Sequence, residues 1–334
     1  MMARSEKRGI MLSADALNID AAAVTARIAE VVRQQVLGDF RRKGAVLGIS
    51  GGIDSSVVAA LCVHALGKDR VLGLLMPERH SSGDATRLGA LLANTLGIET
   101  LTVDIAKILE AAGCYRAQDE AIHTVVPGYG AGWCCKLVMP SILDGERLNI
   151  TRLTVQAPDG ATKTVRLSHS AYLQMVAATN YKQRVRKMTE YYHADRLNYA
   201  VAGTPNRLEY DQGFFVKQGD GAADFKPIAH LYKTQVYALA RHLGVPEEIC
   251  ARPPTTDTFS MAQTQEEFYF ALPYAQMDLC LFAVDHHVPA NEVAPVVGIT
   301  EEQVLRVFRD IEAKRRATRY LHQPPQLVEP LHGA

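Results

Sequence analysis

Val24, Ile28, Val31, Val32 and Val36 recur at three- and four-residue intervals, so residues 18–37 predict an amphipathic entry helix that Asp20 can cap. Residues 45–49 (AVLGI) are a short apolar run bounded by glycine, the pattern of a strand covered on both faces. Ser50, Gly51 and Gly52 then turn the chain into a helical stretch over 54–66. A second strand over 70–76, a helix over 83–96 ending at Gly97 and a third strand over 98–104 repeat the alternation. Strands and helices taking turns in this way predict an α/β fold, a doubly wound and mostly parallel sheet with right-handed crossovers.

Between 113 and 167 the alternation stops. Two β-branched runs flank Pro158-Asp159-Gly160 there and predict a β-hairpin, read as a flap inserted into the domain. A helical pattern resumes near 170–193 and feeds a strand over 198–204, whose carboxyl end opens into a polar loop. A helix near 231–243 stops at Gly244, and Thr300 caps a last amphipathic helix over 300–317. The organisation read from this is one domain over 1–334, with an N-terminal helical segment at 18–44, the insertion at 113–167 and a C-terminal helix and tail at 300–325.

Composition narrows the function classes. A chain of 334 residues that is 48% hydrophobic can bury a sizeable core, which excludes general disorder. Its 36 basic and 36 acidic residues cancel, so no overall field draws it to nucleic acid or to an anionic membrane. Its apolar runs fall far short of the roughly 20 residues of a membrane span. No apolar leader follows the opening MMARSEKRGI, and the six cysteines form no CxxC pair, so a reducing cytoplasm is the expected location.

The stretch Gly48-Ile49-Ser50-Gly51-Gly52-Ile53-Asp54-Ser55-Ser56 carries the most chemistry. Glycines let backbone N–H groups approach phosphate oxygens, hydroxyls donate further hydrogen bonds, and the helix that follows offers its positive end. The stretch lacks the GK[ST] of a Walker A loop, which rules out that class of nucleotide fold.

SGGIDSS resembles the signature loop of the N-type ATP pyrophosphatases, with their adenine nucleotide alpha hydrolase-like fold, and the downstream motifs are similar to those of the NAD synthetase family in its ammonia-dependent form. These are Gly203-Thr204-Pro205-Asn206-Arg207-Leu208-Glu209, the run from Gly213 to Asp224, Leu231-Tyr232-Lys233-Thr234, and Pro253-Pro254-Thr255-Thr256-Asp257, in the family's order and spacing. The resemblance implies a two-step amide synthesis in which ATP adenylates a carboxylate, that of deamido-NAD, and ammonia displaces AMP. It implies that Gly48, Ser50, Gly51, Gly52, Ser55, Ser56, Thr204 and Thr255 hold ATP, and that Asp54 and Glu209 ligate Mg²⁺. Lys217 and Lys233 would surround the phosphates with positive charge, while Asp224 would face the second substrate or the ammonia. From the run Asn180-x-Lys182-x-Arg184-x-Arg186 the acceptor would be gripped, with Lys314 reaching it as well. A homodimer and no nucleic acid or membrane partner are further implications. Only a helical segment precedes the loop, with no room for a glutaminase, so ammonia is expected free or from a separate partner.

Departures from the family pattern cluster on the acceptor side. Ala313-Lys314 stands for a His-Lys pair, Leu208-Glu209 for Ser-Glu, Tyr210-Asp211-Gln212 for smaller residues and threonine, and Gln265-Glu266-Glu267 for an Asp-Glu dyad. Two alternatives therefore stand beside deamido-NAD: the same chemistry on another carboxylate such as nicotinate mononucleotide, or a nucleotide-binding protein without turnover. Cys114, Cys134, Cys135, His123 and His169 lack the spacing of a zinc site and read as packing residues. Trp133 reads as a core or hinge residue, and Cys62, on an apolar helix face, as a poor nucleophile.

Overall fold

The computed structural model describes residues 12–139, 151–255, 259–261, 263–265, 269–270 and 272–329. Its first half alternates as expected: α1 (Ala21–Arg33), β1 (Ala45–Gly48), α2 (Ile53–Leu66), β2 (Val71–Leu75), α3 (Gly83–Leu96), β3 (Glu99–Thr102), then α4 (Ala106–Ala111) and α5 (Cys114–His123). A second group follows: β4 (Cys134–Val138), β5 (Arg152–Gln156), β6 (Thr162–Arg166), α6 (His169–Leu197) and β7 (Ala200–Val201). The C-terminal part is helical: α7 (Arg207–Gln212), α8 (Lys233–His242), α9 (Glu247–Ala251), α10 (Tyr274–Asp285), α11 (Ala290–Val297) and α12 (Glu301–Thr318).

The main sheet is parallel, in the order β3-β2-β1-β7. Its side chains alternate between two cores, as a period of two requires. Ala45, Leu47, Val71 and Leu75 face a cluster shared with α1, α2 and α8. Val46, Leu72, Leu74 and Val201 face a second one with Leu109, Tyr115 and the Ala178, Val185 and Ala194 stripe of α6. Helices thus cover both faces, which is why β1 and β2 read as continuous apolar runs.

The chain leaves β1 toward β2 on one side, while β7 pairs on the other. The sheet reverses its winding between β1 and β7, and in such sheets ligands bind outside the carboxyl ends of the strands at that point. Ser50–Gly52 and Gly203-Thr204 both emerge there.

Several expectations change in detail. The expected hairpin is present as β5 and β6, but it belongs to an antiparallel sheet of order β4-β5-β6. Leu137, Leu153 and Val155 bury its inner face against Met175 of α6 and Ile122 of α5. The strand expected over 198–204 is only Ala200–Val201, because Asn198 turns left-handed at φ 57° before it and Ala202 pairs only in an isolated bridge to Phe225. Helices α4, α5, α10 and α11 were not anticipated; α10, α11 and α12 enclose a third core around Met277, Leu281, Val293 and Val307. No helix among the described residues is long and apolar enough to cross a membrane.

Candidate active site

The loop after β1 is built around its own hydroxyls. Gly51 has φ +73°, and a Cβ there would lie 2.6 Å from the Ala85 carbonyl oxygen, so glycine is required. Gly52 is the N-cap of α2, and its carbonyl accepts hydrogen bonds from Ser55 Oγ (3.1 Å) and Ser56 Oγ (2.8 Å). Ser50 Oγ lies 3.1 Å from Ser55 Oγ and accepts from Gly52 N. Gly48, Ser50, Gly52, Asp54 and Ser55 line a cavity of about 700 Å³. Gly51 and Ser56 do not: Gly51 sets the turn and the fully buried Ser56 closes it from behind.

Across from the loop, α7 and α8 bring a charged cluster to the first turn of α2. Asp54 Oδ2 accepts from Lys233 Nζ at 2.5 Å, and Asp54 Oδ1 accepts from Asn206 Nδ2 at 3.0 Å. Asn206 is fully buried and caps α7: its Oδ1 accepts from Glu209 N, and its own N–H donates to Glu209 Oε2 at 3.0 Å. Glu209 Oε1 accepts from Gln265 Nε2 at 3.1 Å. The backbone N–H groups of Lys233 and Thr234 donate to Asp278 of α10, which fixes the start of α8.

The electrostatics of this cluster are unbalanced. Burial, and then the neighbouring Asp54 carboxylate, push Glu209 up to about 8. Burial would lower Lys233, but Asp54 and Glu209 together hold it above its ordinary value. Two acids thus share one ammonium. That donor set suits Mg²⁺, which takes one or two carboxylates, keeps several waters and completes its shell with phosphate oxygens. Among the described residues no third His, Cys, Asp or Glu joins them.

The other side of the cavity is α6. Asn180, Gln183, Arg184, Arg186, Lys187 and Glu190 line it, with Lys217 and Asp220 of the 213–224 loop facing them. Arg184 Nε donates to the Lys217 carbonyl, and Lys217 Nζ donates to the carbonyls of Tyr320 (2.9 Å) and Gln323 (3.0 Å), tying the C-terminal segment to the cavity's rim. Thr204 and Thr255 line the cavity as expected.

Lys233 itself is fully buried and reaches the cavity only through Asp54, and three more expected residues lie elsewhere. Lys182 is fully buried on the opposite face of α6, bonded to Glu78 Oε1 (3.1 Å) and His80 Nδ1 (2.8 Å). Lys314 pairs with Asp310 and donates to the Tyr269 carbonyl, both at 2.7 Å. Asp224 accepts from Val201 N at 2.7 Å and from Tyr191 Oη at 3.4 Å, off the cavity wall, whereas Asp220, four residues earlier, lines it. Asn206 and Gln265 enter the sequence reading only as members of motifs, with no role at the site, although Asn206-x-x-Glu209 is a legible capping pattern. The six cysteines are free; burial pushes Cys62 up to about 12, which fits an inert core thiol. Trp133 packs near Tyr129, with ring centroids 5.9 Å apart. Thr256, Asp257, Glu266 and Glu267 lie outside the described residues.

Residues 24–127 and 146–321 match the NAD synthase family. This chain belongs to that family. The NH(3)-dependent NAD(+) synthetase of Mesorhizobium japonicum is 67% identical over 311 residues, 93% of this chain and 98% of that protein. That of Rhizobium meliloti is 57% identical over 331 residues, 99% of each chain. The fold is that of the NH3-dependent NAD synthetase from Campylobacter jejuni, solved in complex with the nitrate ion, at a TM-score of 0.60 and 22% identity over 93% of this chain and 100% of that one.

For a member of the NAD synthase family, the departures now have places. Leu208 is fully buried in the C-terminal helical core, Tyr210 stacks on Phe215, and Asp211 pairs with Arg315 of α12 at 2.8 Å. These three replacements make core, ring-stacking and ion-pair contacts and do not line the cavity. The interval 128–145, which the family match skips, falls inside the expected insertion and contains β4.

Proposed function

We propose that this protein uses ATP to adenylate the carboxylate of deamido-NAD and then lets ammonia displace AMP, yielding NAD, AMP and pyrophosphate. One observation carries the reading: a single cavity has the Ser50–Ser55 cradle and Asp54 at one end, and the Asn180, Arg184 and Lys217 set at the other. The first end suits a triphosphate and the second an anionic acceptor, so a carboxylate can meet the α-phosphorus between them.

The protein's own groups account for the chemistry. Backbone N–H groups and hydroxyls of Ser50, Gly52 and Ser55 receive the pyrophosphate as it leaves, with the positive end of α2 behind them. Lys233, fixed by Asp54 and by the anchoring of its backbone to Asp278, sets a permanent positive charge beside that group. Asp54 and Glu209 would hold Mg²⁺, which when bound neutralises charge developing on the phosphate oxygens. Arg184 and Lys217 orient the acceptor, and Phe215 offers it an aromatic face.

A homodimer is part of the proposal. Tyr181, Met188 and Tyr192 of α6 are 40%, 57% and 65% exposed and fall on one side of the helix, an apolar stripe that a second copy would cover. A cytoplasmic site with free ammonia, or ammonia from a separate glutaminase, completes it.

The test is product stoichiometry with ATP, Mg²⁺, ammonium and deamido-NAD. Equal NAD, AMP and pyrophosphate is the expected result. Turnover only with nicotinate mononucleotide would move the same chemistry to another acceptor, and ATP binding without AMP for any acid would leave a binding protein.

A further inference from the structure

Glu190 of α6 is 6% exposed, yet it lines the cavity. Its Oε2 accepts from Lys187 Nζ at 2.6 Å, one turn earlier on the same helix. Among the described residues its Oε1 accepts no hydrogen bond. That oxygen lies 3.0 Å from where a Cβ on Gly48 would stand, so the carboxylate reaches over the last residue of β1 and glycine keeps the space between them open. A carboxylate oxygen on a largely buried side chain that opens into a cavity is placed to accept from a donor on a ligand.

The position along the sheet says which part of the ligand. Ser50, two residues beyond Gly48, begins the phosphate cradle. Leu75 and Met76, at the carboxyl end of the neighbouring β2, present an apolar wall suited to a base. What lies above Gly48 is therefore what joins base to phosphates in a nucleotide, the ribose. We infer that Glu190, oriented by Lys187, recognises a ribose hydroxyl of ATP and makes the site selective for ribonucleotides; this rests on the reading of the cavity as an ATP site. Lys187 holds one oxygen, leaving the other open to an O–H donor of the ligand.

The test is equilibrium binding of ATP, 2′-deoxyATP and 3′-deoxyATP, with Mg²⁺ and no acceptor, to the full chain and to the double variant Glu190→Leu/Lys187→Met, which replaces both members of the buried pair by apolar groups of similar size. The intact protein should bind at least one deoxy analogue about 10- to 100-fold more weakly than ATP, as loss of a hydrogen bond to a charged group implies. In the double variant that ratio should fall to about one. Glu190→Gln, which keeps the shape without the charge, should also lower the ratio and serves where the double variant does not fold. Equal affinity of the intact protein for all three nucleotides would overturn the inference. So would a ratio that survives in the folded variants. Failure to bind ATP at all would instead overturn the reading of the cavity, so the two failures are distinguishable.

Discussion

The ammonium of Lys233 lies 2.5 Å from Oδ2 of Asp54, a residue 179 positions earlier in the chain, and it is fully buried. Removing one member of such a pair strands a charge in the interior, at a cost of about 3–5 kcal/mol. Lys233→Met should therefore lower the unfolding free energy by an amount of that order and reduce pyrophosphate release by about 10²–10³-fold. The double variant Asp54→Asn/Lys233→Met should regain much of the stability and none of the turnover. Urea unfolding and a pyrophosphate assay on the same samples separate the two effects. Recovered turnover in the double variant would remove both residues from the chemistry.

Asn206 links the two acids, donating from its side chain to Asp54 and from its backbone to Glu209. Asn206→Ala removes the α7 cap, worth about 1 kcal/mol, and unties Asp54 from α7. The expected signature is a modest fall in melting temperature with a disproportionate rise in the Mg²⁺ concentration needed for half-maximal rate. A proportionate loss of both would make Asn206 a cap alone.

Gly51 offers a sharper structural test, because its φ of +73° and the 2.6 Å approach of a Cβ to the Ala85 carbonyl leave no relaxed place for a side chain. Gly51→Ala should weaken ATP binding by reshaping the cradle while costing about 1–3 kcal/mol of stability. Isothermal titration with ATP reads the first effect and thermal unfolding the second. Unchanged ATP affinity would show that the cradle tolerates a different turn.

Away from the cavity, Glu78, His80, Tyr115 and Lys182 fasten the loop after β2 to α5 and α6. Burial first and the Lys182 charge second push His80 down to about 4 from an ordinary 6.5. The folded chain then binds fewer protons at His80 than the unfolded chain between those values. Stability from this group is complete above about pH 6.5 and is lost as the pH falls toward 4. Burial alone would raise Glu78, but Lys182 and His80 together hold it below its ordinary 4.5, so its stability is complete above about pH 4.5 and is lost only at still lower pH. Urea unfolding at stepped pH should show wild type losing stability between pH 6.5 and 4.5, with a flatter profile for His80→Gln. Parallel profiles would show that the imidazole is not responsible.

What could be read from the sequence follows from how each segment is covered. The buried strands β1 and β2 announced themselves as apolar runs, and α1 by its spacing, because each meets the core in one simple way. The helix α10 is buried on nearly every side, from Tyr274 and Met277 through Leu281, so its apolar residues follow no stripe and it escaped notice. On α6 both faces are engaged: Lys182 turns to the core side and Gln183 and Arg184 to the cavity, and residue type alone does not separate a buried lysine from a substrate-facing one. The 216–222 loop hides its outcome differently. Its turns place Asp220 rather than Asp224 on the cavity wall, a matter of backbone path that motif spacing does not encode.

The exposed stripe on α6 gives the last test, because it bears on how the acceptor end is completed. Tyr181 lies between Asn180 and Lys182 on the helix that supplies Arg184 to the cavity, so a second copy packed on Tyr181, Met188 and Tyr192 would stiffen the cavity wall from outside. Exposed positions of this kind tolerate substitution with little cost to the fold, typically within about 0.5 kcal/mol. Met188→Glu/Tyr192→Glu should therefore leave thermal unfolding of the protomer nearly unchanged while sedimentation shifts from dimer to monomer. If the cavity wall depends on the partner, the KM for deamido-NAD should rise in the monomer more than ATP binding weakens, since the phosphate cradle is carried by β1 and α2 rather than by α6. A chain that sediments as a monomer before any substitution would remove the dimer from the proposal. A dimer that persists in the double variant would place its interface on another face.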